Sequence, residues 1–180
     1  VGQDLQQSGR IAAKLMEAIA PKGEIAILHI DEKFKNAIHM QEKEKGFRNY
    51  FLQKENTDYN IITLKLKRTN YEIKFTDFLK ETPNLTGLFI TTSKAYQIAQ
   101  IIQETQQNKI SFIGYDLLDK NISYLNQGTI DFLINQNPKQ QVYLGISFLV
   151  DHFVFGKEIN NATLLPIDIV NSENASYYME

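Results

Sequence analysis

Cysteine is absent from this 180-residue sequence, so it has no disulfide framework, no thiol nucleophile and no thiolate metal site. That absence alone leaves open whether the compartment is reducing or oxidising. An excess of one charge is lacking too. Nineteen Lys and Arg against 21 Asp and Glu give a net charge of −2, hence no overall attraction to phosphate backbones or anionic membranes. No apolar run approaches the roughly 20 residues of a membrane span. The opening Val1-Gly2-Gln3-Asp4 has neither the basic nor the apolar region of a signal peptide. The expectation is a soluble segment with no membrane partner.

Phosphate cradles are also missing. Neither G-x-G-x-x-G after a strand nor G-x-x-x-x-G-K-[ST] occurs, which argues against dinucleotide and P-loop enzymes, and no cofactor is expected. His29, His39 and His152 lie far apart and none sits in H-E-x-x-H, so a zinc hydrolase has no supporting spacing. Ser93 has no G-x-S-x-G elbow around it and reads as a helix cap. Glu42 and Glu44 read as solvated charges on a helix face. Lys65, Lys67 and Arg68 read as a solvated strand end, since no aromatic stripe interleaves them. Nothing assembles into a catalytic constellation, so the expectation is that the chain is not an enzyme.

What is present is 43% hydrophobic and 22% charged residues, enough for one sizeable core. Short apolar runs alternate with stretches whose apolar residues recur at three and four, the pattern of an α/β fold with a mostly parallel, doubly wound sheet. Ile25 to Ile30, Ile61 to Leu66, Leu88 to Thr91 and Ile110 to Gly114 read as strands buried on both faces. Ile130 to Ile134 and Leu164 to Val170 read as later strands. Phe47, Tyr50 and Phe51 form one helical stripe, Phe75, Phe78 and Leu79 a second, and Ala95, Ile98, Ala99 and Ile102 a third. Residues 121–128 are polar, a loop or one short helix. Asn137-Pro138 starts a helix carrying Val142, Ile146, Leu149 and Phe153 on one face, and Gly156 ends it. Right-handed crossovers put all the strand carboxyl ends on one edge, where Asp31, Thr92 and Asp116 would cluster.

The chain opens on a stub followed by a helix with Ile11, Leu15, Ala18 and Ile19 on one face, where such a fold normally opens with a full strand. We expect this helix and the one at Pro138 to be spare to the sheet. They would be pieces of a neighbouring lobe.

Several stretches, in order, resemble the ligand-binding core of the lac-repressor (LacI) family and of the type I periplasmic sugar-binding proteins. Val1-Gly2-Gln3-Asp4 with Ser8-Gly9 and Ala12-Ala13 resembles V-G-x-D followed by G-x-x-A-A. Glu44-Lys45-Gly46-Phe47 resembles R-x-x-G-F. Phe89 to Ala95 stands where the family has a strand, an Asn or Asp, and an alanine-led helix. Ile113-Gly114-Tyr115-Asp116 is similar to V-G-[FY]-D, and Ile134-Asn135-Gln136-Asn137-Pro138 to I-x-Q-x-P. The closing Leu165 to Val170 also fits.

The resemblance implies two α/β lobes joined by three crossings, with residues 1–20 and 138–157 from the N-terminal lobe, and 21–137 and 158–180 from the C-terminal lobe. It implies a ligand-sensing, sugar-binding part of a cytoplasmic regulator that pairs as a homodimer and touches DNA only through a missing N-terminal headpiece. The alternative is a periplasmic solute-binding protein of a sugar transporter. Asp4 and Asp116 match carboxylates that accept sugar hydroxyl bonds from the two lobes, and Gln136 matches a hinge glutamine that donates and accepts. Tyr71 falls near an aromatic that stacks on the sugar. Two positions depart from the pattern. Lys43 replaces an arginine and loses the planar fork, and Thr91-Thr92 replace an Asn or Asp with hydroxyls. His29 and Phe34 are further candidates for the cleft wall, with core packing favoured for both.

Overall fold

A computed structural model of the chain describes residues 1–30, 37–105 and 109–179. Asp4 begins the first helix, α1 (Leu5–Ile19), by accepting the Gln7 N–H on its carboxylate at 2.9 Å, which satisfies one of the helix's orphan donors. Then follow β1 (Gly23–Ile30), α2 (Ile38–Gln53), β2 (Tyr59–Leu66), α3 (Tyr71–Glu81), β3 (Leu85–Ile90), α4 (Ala95–Glu104), β4 (Ser111–Tyr115), α5 (Asp119–Asn126), β5 (Phe132–Asn135), α6 (Pro138–Phe155) and β6 (Asp168–Val170). A 3-10 turn at Ala175–Tyr178 closes the described chain.

The six strands form one sheet in the order β2-β1-β3-β4-β5-β6. The first five run parallel, while β6 is antiparallel to β5, pairing Asn135 with Asp168. The α/β reading therefore holds. The last strand is shorter than expected: of residues 164–170 only 168–170 join the sheet, and Leu164 instead makes an isolated parallel bridge with Gly2. β2 was expected to be buried on both faces. It lies at the sheet's edge, and most of its residues are only half-buried.

Side chains of β1 alternate between two cores, as a period of two requires. Ala26, Leu28 and Ile30 join Phe75, Leu79, Ala95, Ile98, Ala99 and Leu125 under α3, α4 and α5. Ile25 and Ile27 join Ala12, Ala13, Met16, Phe47, Phe51, Phe89 and Ile113 under α1 and α2. The three helical stripes thus face the sheet, with Phe78 and Ile102 packed at its margin. The expectation that α1 is spare does not hold. Its Ala12, Ala13 and Met16 are fully buried, so it covers one face of this sheet.

α1 and α2 touch backbone to backbone at two glycines. A Cβ on Gly9 would overlap the Lys43 carbonyl oxygen, and a Cβ on Gly46 the Gln6 carbonyl oxygen. Only glycine allows this approach. α6 behaves differently. Asn137, at φ 49°, caps it by accepting the Gln140 N–H, and Gly156, at φ 64°, ends it as expected, yet α6 has no buried residue. Its stripe Val142, Ile146, Leu149 and Phe153 is exposed. No helix among the described residues is long and apolar enough to cross a membrane.

Candidate functional site

Parallel neighbours end on the same side, so β3, β4 and β5 deliver Thr92, Asp116 and Gln136 to one edge of the sheet, on adjacent strand ends roughly 5 Å apart. Asp31 and Phe34, also expected at this cleft, lie outside the described residues.

Asp116 has a left-handed backbone at φ 66°, which Asp tolerates better than most residues. Its N–H donates to the Ile134 carbonyl at 3.0 Å. Its Oδ1 accepts Gln136 Nε2–H at 2.8 Å. Because a carboxylate has about four lone-pair sites, one bond from Gln136 orients it and leaves acceptor capacity for other donors. Thr92 is 7% exposed, and its Oγ1 is buried without a hydrogen-bond partner among the described residues. A buried hydroxyl left unpaired costs about 1–3 kcal/mol, so this atom marks a position where a partner would be gained.

Asn121, which the sequence did not single out, fastens this edge. Fully buried on α5, it places Nδ2 at 2.9–3.0 Å from the carbonyls of Ser93, Tyr115 and Asp116. Its Oδ1 accepts the Tyr96 N–H at 2.8 Å. Ser93 was expected to cap α4. The preceding Lys94 makes no side-chain cap, and Asn121 supplies the acceptor from a neighbouring helix.

The remaining expected residues are distributed differently. Lys43 is 1% exposed; its ammonium donates to the Thr91 carbonyl at 3.1 Å and lies 3.5 Å from the centroid of the Tyr115 ring, a cation–π contact in a dry setting. It therefore sits under the floor of the edge. Burial holds the Tyr115 hydroxyl well above its usual pKa, against the 2.6 Å hydrogen bond with Ser8 Oγ, which works to lower it. Asp4 is exposed and serves as the cap of α1. Tyr71 does not join Thr92, Asp116 and Gln136 in any hydrogen bond. Its hydroxyl donates to Glu72 at 2.9 Å and its ring lines a groove between α3 and α4.

Behind Thr91 lies a polar cluster. His29 is buried, with Nδ1 2.8 Å from Thr91 Oγ1 and Nε2 donating to Glu44 Oε2 at 2.7 Å. Arg48 Nε and Thr63 Oγ1 donate to Glu44 Oε1 at 2.8 and 2.5 Å. Burial opposes ionisation of Glu44, but the bonds from His29, Thr63 and Arg48 outweigh it and hold the carboxyl at about 2. The reading of Glu44 as a solvated charge is thus corrected: its side chain is 14% exposed and engaged on three sides. His29 is a partnered residue of the interior.

An α/β sheet with polar groups gathered at the carboxyl ends of its parallel strands defines a ligand-binding class, since such folds take ligands at that edge. Comparison with known proteins narrows the class. Residues 1–158 match the periplasmic binding protein domain family, and the chain belongs to it. Curated proteins contain no match. Among solved structures, a candidate LacI transcriptional regulator from Bacteroides fragilis is 32% identical, with a TM-score of 0.90 over 98% of this chain and 62% of its own. A periplasmic solute-binding protein of an ABC transporter from Actinobacillus succinogenes 130z, with bound D-allose, is 26% identical with a TM-score of 0.85 over 99% of this chain and 62% of its own. A solute-binding protein from Burkholderia graminis C4D1M in complex with D-arabinose shares the fold, with a TM-score of 0.86 at 18% identity over 99% of this chain and 63% of its own. The chain thus spans under two thirds of the length of these relatives, which are binding and regulatory proteins.

Proposed function

We propose that the chain forms one lobe of a sugar-binding module and contributes Thr92, Asp116 and Gln136 to the ligand. The observation that carries this is the oriented Asp116–Gln136 pair on the same edge as the buried Thr92 hydroxyl, which has no partner among the described residues. A carboxylate, a carboxamide and a hydroxyl together accept and donate to vicinal hydroxyls. Neighbours of this fold carry D-allose and D-arabinose, which supports a small polyol as the ligand class.

We assign the module to a cytoplasmic, homodimeric regulator of LacI type, on the strength of the 32% identical relative. Ligand held between two lobes stabilises one hinge angle, and a separate headpiece reads that angle through its differential affinity for DNA. α6, with its bare apolar face, belongs in this reading to the first lobe, whose other elements cover it. Asp4 caps α1 at the entry from that lobe and would present its free carboxylate oxygen to the ligand. The second reading, a transporter's solute-binding protein, draws on the D-allose-bound neighbour at a TM-score of 0.85. A helix-turn-helix in the upstream gene sequence supports the regulator, a signal peptide the transporter.

The test is a titration of the chain with D-allose and D-arabinose, followed by amide chemical shifts. Shifts confined to Thr92, Asp116, Gln136 and their neighbours, at millimolar sugar because only one jaw is present, support the reading. No response at this edge to either sugar overturns it.

A further inference from the structure

Three segments leave the sheet edge side by side: residues 1–4, residues 135–138 and residues 163–168. The first and third are joined by a single step of parallel ladder, in which Gly2 N–H donates to the Thr163 carbonyl at 3.0 Å and Leu165 N–H to the Gly2 carbonyl at 2.7 Å. The ladder goes no further, because the chain turns into α1 after Asp4. The Gln3 side chain takes over at that point. Its Nε2 donates to the Asn135 carbonyl at 3.0 Å and to the Pro166 carbonyl at 2.7 Å. One carboxamide, 9% exposed, therefore ties its own segment to both of the others.

The orientation of that amide is forced. Turning it over would set Oε1 against two carbonyl oxygens, acceptor facing acceptor. Oε1 is left buried with no partner among the described residues, a cost the chain bears in exchange for two donated bonds.

We propose that Gln3 is the positioning residue of the interlobe hinge: a clasp that fixes the lateral spacing of the three crossing segments, and through it the placement of Asp4 and Gln136. Each of those residues directly follows an atom the clasp holds, Asp4 after Gln3 itself and Gln136 after Asn135. The clasp stands on the bonds just described; its meaning as a hinge rests on the two-lobe reading above.

Amide hydrogen exchange on the full 180-residue chain tests it with two variants. Gln3→Glu keeps the shape and removes both donors; Gln3→Met keeps length and apolar volume, and serves if the carboxylate variant does not fold. In each, exchange at the Leu165 amide is expected to rise at least tenfold while the strand amides of Ile27 and Phe89 keep their rates. An unchanged Leu165 rate overturns the clasp. So does an equal rise at Ile27 and Phe89, which would make Gln3 a packing residue of the whole lobe.

A D-allose titration of the same proteins separates this from the sugar reading. Weaker response of Gln136 in both variants, at an unchanged melting temperature, supports the positioning role. If the unsubstituted chain ignores D-allose and D-arabinose while Leu165 still loses protection in the variants, the clasp stands and the sugar reading falls. If Leu165 is unaffected and D-allose shifts Gln136 alike in all three proteins, the clasp falls and the sugar reading stands.

Discussion

Gln136 reaches across from the end of β5 to hold Asp116, at the end of β4, through a 2.8 Å hydrogen bond to Oδ1. The two side chains therefore act as one acceptor and donor surface. Asn accepts the same left-handed backbone as Asp, so Asp116→Asn keeps the shape while it removes the charge and turns one acceptor oxygen into a donor. Charge-assisted bonds are roughly twice as strong as neutral ones. Affinity for D-allose is expected to fall about tenfold with the melting temperature unchanged, read by chemical-shift titration and differential scanning fluorimetry.

Gly46→Ala places a methyl group on the Gln6 carbonyl oxygen, a backbone atom that cannot move unless α1 and α2 part. Denaturant unfolding should show a loss of about 1–3 kcal/mol. Gly145→Ala is the control. Nothing lies within 4 Å of its added carbon, and it sits inside α6, so helix propensity predicts a change of about 0.5–1 kcal/mol toward greater stability of that helix.

Glu44 sets an acid limit. Its carboxyl is held at about 2 against an ordinary 4.5. The folded pKa is depressed, so the ionised, partnered form contributes its full stability above pH 4.5. That contribution is lost as the pH falls from there toward 2. A shift of this size corresponds to roughly 3 kcal/mol. Unfolding titrations of the chain at pH 7, 4.5 and 3 should show the decline between the last two, and Glu44→Gln should be less stable at pH 7 and lack that part of the slope.

The bare face of α6 is expected to drive self-association of the chain. Ile146 and Phe153 are 58% and 78% exposed, in line with Val142 and Leu149, and contiguous apolar surface of this kind seeks a partner in water. Sedimentation velocity of the chain is expected to show concentration-dependent oligomers. The double variant Ile146→Lys, Phe153→Lys should be monomeric, with the unfolding transition of the sheet unchanged.

Elements that depend on local chemistry were legible. Strand β1 announced itself by continuous apolar residues, and the two faces of that strand sorted into the two cores by simple alternation. The start and stop of α6 followed from Asn137-Pro138 and Gly156, because capping is settled within four residues. Thr92 and Asp116 were placed together by the rule that parallel strands share an exit edge, and Gln136 was added by its position in a motif.

Glu44 shows where such reading stops. Its own helix offers Glu42, Lys45 and Arg48 as company and looks solvated, but its partners His29 and Thr63 stand on β1 and β2. Asn121 was overlooked for the same reason: a lone asparagine on a polar helix gives no sign of the three carbonyls that meet around it. Tyr71 was matched by resemblance to an aromatic that stacks on a sugar, and nothing in its local sequence signals that it lines the groove between α3 and α4.

The order of residues by itself determined the class of fold, the approximate order of strands and helices, and the shared sheet edge of Thr92 and Asp116, because periodicity, capping and parallel connection are all set by near neighbours along the chain. Tertiary structure alone decided that α1 covers this sheet while α6 stands uncovered, that Lys43 points under the floor, and that Gln3 binds two segments more than 130 positions away. Those outcomes depend on pairings between residues distant in sequence, where backbone approach and the need to satisfy buried polar groups select one arrangement from many that the pattern permits.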